Sequence, residues 1–106
     1  MPAYEVDSWA ALGDPTRRAI FEQLARCPRP VGELARELPI SRPAVSQHLK
    51  VLKSAGLVAD RPVGTRRIYQ LDPQGVGALR VQLEKFWTQA LASYKQVVEE
   101  STEEDQ

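Results

Sequence analysis

The stretch Ser41–Gly56, SRPAVSQHLKVLKSAG, decides how this chain folds. On a helix turning about 100° per residue with Val45 at zero, Leu49, Leu52 and the closing Gly56 fall within roughly 40° of Val45, a stripe for burial. The opposite side, centred near about 150°, carries Pro43, Ser46, Gln47, Lys50 and Ser54. No acid and no large apolar residue stands there. Hydroxyl, amide and ammonium groups touch phosphates and base edges without repelling them. A helix that is apolar behind and short-polar in front reads as a recognition helix for nucleic acid.

Ser41 is placed to cap this helix, and Pro43 is tolerable in a first turn whose N–H groups have no intrahelical partner. Gly56 supplies a left-handed stop that lets Leu57 fold back on the last turn. Ahead of the stretch, Pro39-Ile40 makes a tight turn out of a shorter helix over about Gly32–Leu38, with Leu34, Ala35 and Leu38 inward. Two short helices so joined form a helix-turn-helix. After it, Val58–Arg61 and Arg66–Leu71 read as two strands, and Gly64 lies in the loop Pro62–Thr65 where the backbone must reverse. Arg61, Thr65, Arg66 and Arg67 gather near the tip, so the hairpin is a basic wing.

Further out, Asp14-Pro15 is an N-cap with proline at the first helical position, opening a helix over Pro15–Arg26 that packs through Ile20, Leu24 and Phe21. A first helix over about Glu5–Leu12 places Val6, Trp9, Ala10 and Leu12 on one side, and Gly13 ends it. Asp72-Pro73 opens the last helix by the same device. Gly75 and Gly77 weaken its first turn, which is expected to fray. Beyond them Val76, Leu79, Leu83, Phe86, Ala90, Tyr94 and Val97 step by three and four, with Trp87 and Leu91 widening the stripe.

Pro73 to about Ser101 would span roughly 40 Å. A core this small cannot cover that length, so part of the stripe must meet a second chain. The expected dimer surface is Tyr4 at the N-terminal end, with Val6 and Trp9 of the first helix, against Leu83, Phe86, Trp87, Ala90, Tyr94 and Val97 of the last. The expected fold class is mainly α with a small β-hairpin, in the order α-α-α-α-β-β-α. One domain covers residues 1–101, and residues 102–106 form an acidic flexible tail.

Composition supports one domain of 106 residues with a modest core. The net charge of zero misleads. Between Ser41 and Gln70, six basic residues (Arg42, Lys50, Lys53, Arg61, Arg66, Arg67) face Asp60 alone, a local charge of +5. The last eight residues hold five acids and no base, a charge of −5. A basic middle points to a polyanion partner. No apolar run is long enough to span a membrane and no basic-then-apolar leader is present, so the expected location is the cytoplasm, at the nucleoid. One cysteine excludes an internal disulfide.

Gln47 can bond adenine in a bidentate manner, and Ser46 can serve a base or a phosphate. Ser41, Arg42, Pro43 and Lys50 fit the backbone beside them, whereas Lys53 alone reads as a solvated charge. Arg66 and Arg67 point to opposite faces of their strand, so they do different jobs. His48 lies on the shoulder of the helix. A packed ring is its commoner role, a phosphate contact the second. Cys27, beside two prolines, reads as a buried or half-buried apolar residue, with an inter-subunit thiol switch as the alternative. No constellation supports catalysis: there is no phosphate-cradling glycine loop, and no serine has a histidine partner with an orienting acid.

The segments ALGDPTRRAIFEQLA, VGELARELPISRPAVSQHLKVLKSAGLV and RPVGTRRIYQLDP, in that order, resemble the ArsR/SmtB family of bacterial winged-helix repressors over roughly Trp9–Trp87. The resemblance implies a homodimer that sits on a palindromic site in double-stranded DNA and blocks transcription, often of its own gene. It is nearest the non-metal branch, which includes autoregulated mycobacterial repressors. Metal-sensing relatives carry paired cysteines on the third helix, where this chain has Ala35 and Glu37. Others pair Asp and His on the last helix, but Pro73–Gln106 has no histidine. No metal and no cofactor are therefore expected. Two alternatives stay open: a winged-helix module that binds another protein, and a ligand- or thiol-responsive repressor of the same fold.

Overall fold

The computed structural model describes residues 7–104. The elements run α1 (Ser8–Leu12), α2 (Pro15–Arg26), β1 (Arg29–Pro30), α3 (Val31–Glu37), α4 (Arg42–Ser54), β2 (Val58–Val63), β3 (Arg66–Leu71) and α5 (Pro73–Glu104). The first helix is shorter than its sequence suggests. Asp7 is extended, and its carboxylate accepts from the Trp9 N–H, so the chain turns helical only at Ser8. Tyr4 and Val6 lie outside the described residues.

Asp14 caps α2 as expected, accepting from the N–H groups of Thr16 at 2.8 Å and Arg17 at 3.0 Å. These two donors, Arg17 first, hold the Asp14 carboxyl below its ordinary value. The Arg17 guanidinium then reaches back to the Ala11 carbonyl at 2.8 Å, tying α1 to α2.

The segment after α2 is more ordered than its prolines imply. Arg29 and Pro30 pair antiparallel with Tyr69 and Ile68, so the sheet has three strands in the order β1-β3-β2 rather than a bare hairpin. A proline cannot donate to a ladder but tolerates an edge strand, and β1 is one. Arg29 is 7% exposed. Its guanidinium donates to Gln23 Oε1 at 3.1 Å, the Glu37 carboxylate at 2.5 Å and Cys27 Sγ at 3.0 Å, joining α2 to α3. Cys27 itself is exposed, contrary to the apolar role expected of it.

Ile20, Leu24, Leu34, Val45, Leu49, Leu52, Leu57 and Val58 form one core with Ala11, Ala55 and Leu79. Each large member contributes about 1.5–3 kcal/mol by leaving water. Val45, Leu49 and Leu52 are the stripe read from Ser41–Gly56, all at most 1% exposed.

That helix ends as its glycine dictates. Gly56 has φ 77°, its N–H bonds the Lys53 carbonyl, and the Leu57 N–H bonds the Leu52 carbonyl. This pair of bonds is a Schellman stop. Gly75, at the start of α5, is seated against it. A Cβ there would lie 1.6 Å from the Gly56 carbonyl oxygen, so only glycine permits the approach. Asp72 caps α5 through the Gln74 N–H at 3.0 Å, and the first turn is packed rather than frayed. After Leu79 the helix leaves the body, and its residues through Thr102 are exposed. Its 32 residues span about 48 Å. Helix continues through Glu104.

Candidate nucleic-acid interface

The exposed side of α4 is built from the cap outward. Ser41 Oγ accepts from the Ala44 N–H at 3.3 Å, which fixes the entry of the helix. Ser41, Arg42, Pro43, Ser46, Gln47 and Lys50 are all exposed. The side chains of Val45, Leu49 and Leu52 lock the helix to the core behind them, so Ser46, Gln47 and Lys50 are carried on a rigid element. Arg42 lies across Gly32, where an added Cβ would stand 2.7 Å from a guanidinium nitrogen. It therefore bridges the two helices of the helix-turn-helix. His48 is half-buried.

The wing is longer and tighter than its sequence suggests. β2 continues to Val63, opposite Arg66, so only Gly64 and Thr65 make the turn. Gly64 has φ 63°, and no non-glycine residue described has a positive φ. A glycine first and an ordinary residue second is the two-residue hairpin pattern that matches strand twist.

Register divides the arginines between two faces. Arg61 stands opposite Ile68 and Arg66 opposite Val63, which places both on one face with neither in an ion pair among the described residues. Arg67 is on the other face. Its Nη1 donates to Asp60 Oδ2 at 2.8 Å, while Lys53 Nζ holds Asp60 Oδ1 at 2.7 Å. Lys53 is thus engaged with the wing rather than merely solvated. Sequence reasoning missed this because the partners are brought together only by the packing of α4 on β2. The one available signal was that Asp60 is the sole acid in a basic stretch.

A second exposed surface runs along α5. Leu83, Phe86, Trp87, Tyr94 and Val97 are large, apolar and exposed, with Phe86 at 68% and Trp87 at 65%. Ala90 is exposed among them, and Leu91 and Val98 widen the same stripe. Trp9 of α1 borders it, and Trp9, Gln82, Lys85, Phe86 and Gln89 line a cavity of about 490 Å³. Among the described residues, no group of three or more His, Cys, Asp and Glu side chains is placed to hold a metal.

Four similarities bear on this geometry. A family described as a helix-turn-helix domain matches residues 12–61, from the end of α1 into the wing. The HTH-type transcriptional regulator Rv2034 of Mycobacterium tuberculosis (strain ATCC 25618 / H37Rv) is 66% identical over 92 residues, which is 87% of this chain and 86% of that protein. The crystal structure of a possible transcriptional regulator for arsenical resistance superposes with a TM-score of 0.71 at 44% identity, covering 77% of this chain and 85% of the other. The solution structure of the homodimeric winged helix-turn-helix DNA-binding domain of Mb0332 from Mycobacterium bovis, a possible ArsR-family regulator, matches with a TM-score of 0.63. That protein is 30% identical, with 79% of this chain and 78% of the other covered. The chain belongs to the ArsR/SmtB family of winged helix-turn-helix, DNA-binding transcriptional regulators.

Proposed function

We propose that the protein is a homodimeric repressor acting on a palindromic operator, its own promoter among its sites. Residues 1–101 serve as one DNA-binding and dimerisation domain. The observation that carries this reading is the exposed, acid-free face of α4, with Ser46, Gln47 and Lys50, beside a wing whose Arg61 and Arg66 are unpaired among the described residues. Gln47 and Ser46 read base edges. Ser41, Arg42, Pro43 and Lys50 follow the phosphate backbone, with Thr65 and Arg66 at the wing tip and Arg61 on the same face. His48 supports the α4–α2 contact and reaches a phosphate only from its exposed edge.

The exposed stripe of α5 with Trp9 is the surface a second copy covers. Its arrangement as a homodimer is supported by the relative from Mycobacterium bovis. Two α4 helices so joined fit successive major grooves, roughly 34–36 Å apart, on half-sites about ten base pairs from each other. No helix described is long and apolar enough to cross a membrane, and the site of action is the cytoplasmic DNA. Metal is not required for this assembly.

Titrating genomic DNA fragments at two salt concentrations tests the reading. Steep salt dependence with one preferred, palindromic fragment is the expected result. Binding without preference at either salt concentration would refute it, and would favour a module for another protein.

A further inference from the structure

Asp60 is the only carboxylate between Ser41 and Gln70, and its side chain is 7% exposed. Both of its oxygens are occupied, Oδ1 by Lys53 from the last turn of α4 and Oδ2 by Arg67 from β3. The two cations remain 58% and 57% exposed. An ammonium has three donors and a guanidinium five, so each keeps donors to spare after serving Asp60. On the helix wheel Lys53 lies at about 80°, on the flank shared with Ser46 and Lys50. A row of polar and basic side chains therefore runs along α4 and crosses to the wing at Asp60.

We propose that Asp60 is a positioning residue that seats Lys53 and Arg67 as a two-cation clamp for one backbone phosphate, fixing the register of α4 in its groove. This rests on the interface reading above. Loose lysine and arginine ends follow any polyanion, whatever its sequence. Held on one carboxylate, they meet a phosphate at one place only. The same carboxylate repels every duplex it approaches, which lowers binding to random DNA. Asp60 thus trades overall affinity for discrimination.

The test uses the full chain, the genomic fragment that the wild type prefers, and a scrambled duplex of the same length. Asp60→Asn is expected to bind the scrambled duplex more tightly and the preferred fragment more weakly. Their affinity ratio should contract about tenfold, the scale of one charge-assisted contact. Lys53→Gln should flatten the salt slope on the preferred fragment by about one unit. It should cost less in the Asp60→Asn background than alone, because the clamp acts as a unit. Equal shifts on both duplexes would overturn the proposal, since a charge or stability effect alone produces them. An unchanged slope for Lys53→Gln would overturn it too.

Circular dichroism and thermal unfolding identify a folded variant. Should Asp60→Asn not fold, Asp60→Glu keeps the charge and misplaces it, and a ratio unaltered in that variant sinks the clamp. Gln47→Ala serves as the control. If it lowers preference while Asp60→Asn does not, the clamp fails and the interface stands. If neither does, the interface reading fails and the clamp with it.

Discussion

Gln47 is held by a helix whose other side is locked in the core, so on the proposed interface its amide meets a duplex from a fixed origin. Gln47→Ala should cost about 1–3 kcal/mol on the preferred fragment and little on random DNA, as measured by titration on both. Asp60 offers a prediction of a different kind. The hydrogen bond from Lys53, with Arg67 adding to it, holds its carboxyl below the ordinary 3.8. A carboxylate with a depressed folded pKa contributes stability that is present above its unfolded value and is lost as pH falls through the folded one. Asp60→Asn should therefore be less stable than wild type by about 1.5–3 kcal/mol at neutral pH. The gap should close only below about pH 4, where the wild type loses the pair. Urea unfolding across that range measures it, and a gap independent of pH would assign the loss to packing.

At the scale of elements, the glycines of α5 separate two roles that look alike in sequence. Gly75 meets the Gly56 carbonyl where a Cβ would stand 1.6 Å away, and Gly77 meets nothing within 4 Å. Gly75→Ala must push the helix off the Schellman stop, at a cost of about 3 kcal/mol or more. Gly77→Ala only removes backbone freedom from a helix and should stabilise by about 0.5–1 kcal/mol. Thermal unfolding of the two variants should thus move in opposite directions. Periodicity and caps made α2, α4 and most of α5 readable, because those signals are local: Asp14-Pro15, Ser41 and Gly56 act within a turn of themselves. What the sequence concealed is long-range. β1 exists because Arg29 and Pro30 meet Tyr69 and Ile68 some forty residues on. The packing of Gly75 and the pairing of Lys53 with Asp60 arise the same way. The candidate site divides along that line: the face of α4 and the separation of Arg66 from Arg67 were legible from spacing and strand alternation, and the pairing of Lys53 and Arg67 on Asp60 was not.

At the scale of the whole molecule, α5 is the element that monomer packing leaves unexplained. Its body-proximal end is fixed by Gly75 and Leu79, yet the stretch from Leu83 to Val98 presents Phe86, Trp87, Leu91 and Tyr94 to water. A contiguous apolar stripe of this kind is costly for a monomer and ordinary for half of an interface. Trp9 lies beside it because Ser8 Oγ bonds the Ala55 carbonyl at 3.3 Å and Arg17 holds the end of α1. The first and last helices therefore form one surface anchored to the end of the recognition helix. If a second copy covers it, the distance between two α4 helices is set by α5, and both must engage for tight binding. Phe86→Glu places a charge at the centre of that surface without touching α4 or the wing. Sedimentation should then report a monomer at concentrations where the wild type is a dimer. Affinity for the palindrome should fall by about 10²–10⁴-fold, the advantage that linkage gives a second half-site, while binding to an isolated half-site stays unchanged. A Phe86→Glu variant that remains dimeric would move the interface away from α5, and with it the spacing that makes ten base pairs the expected separation.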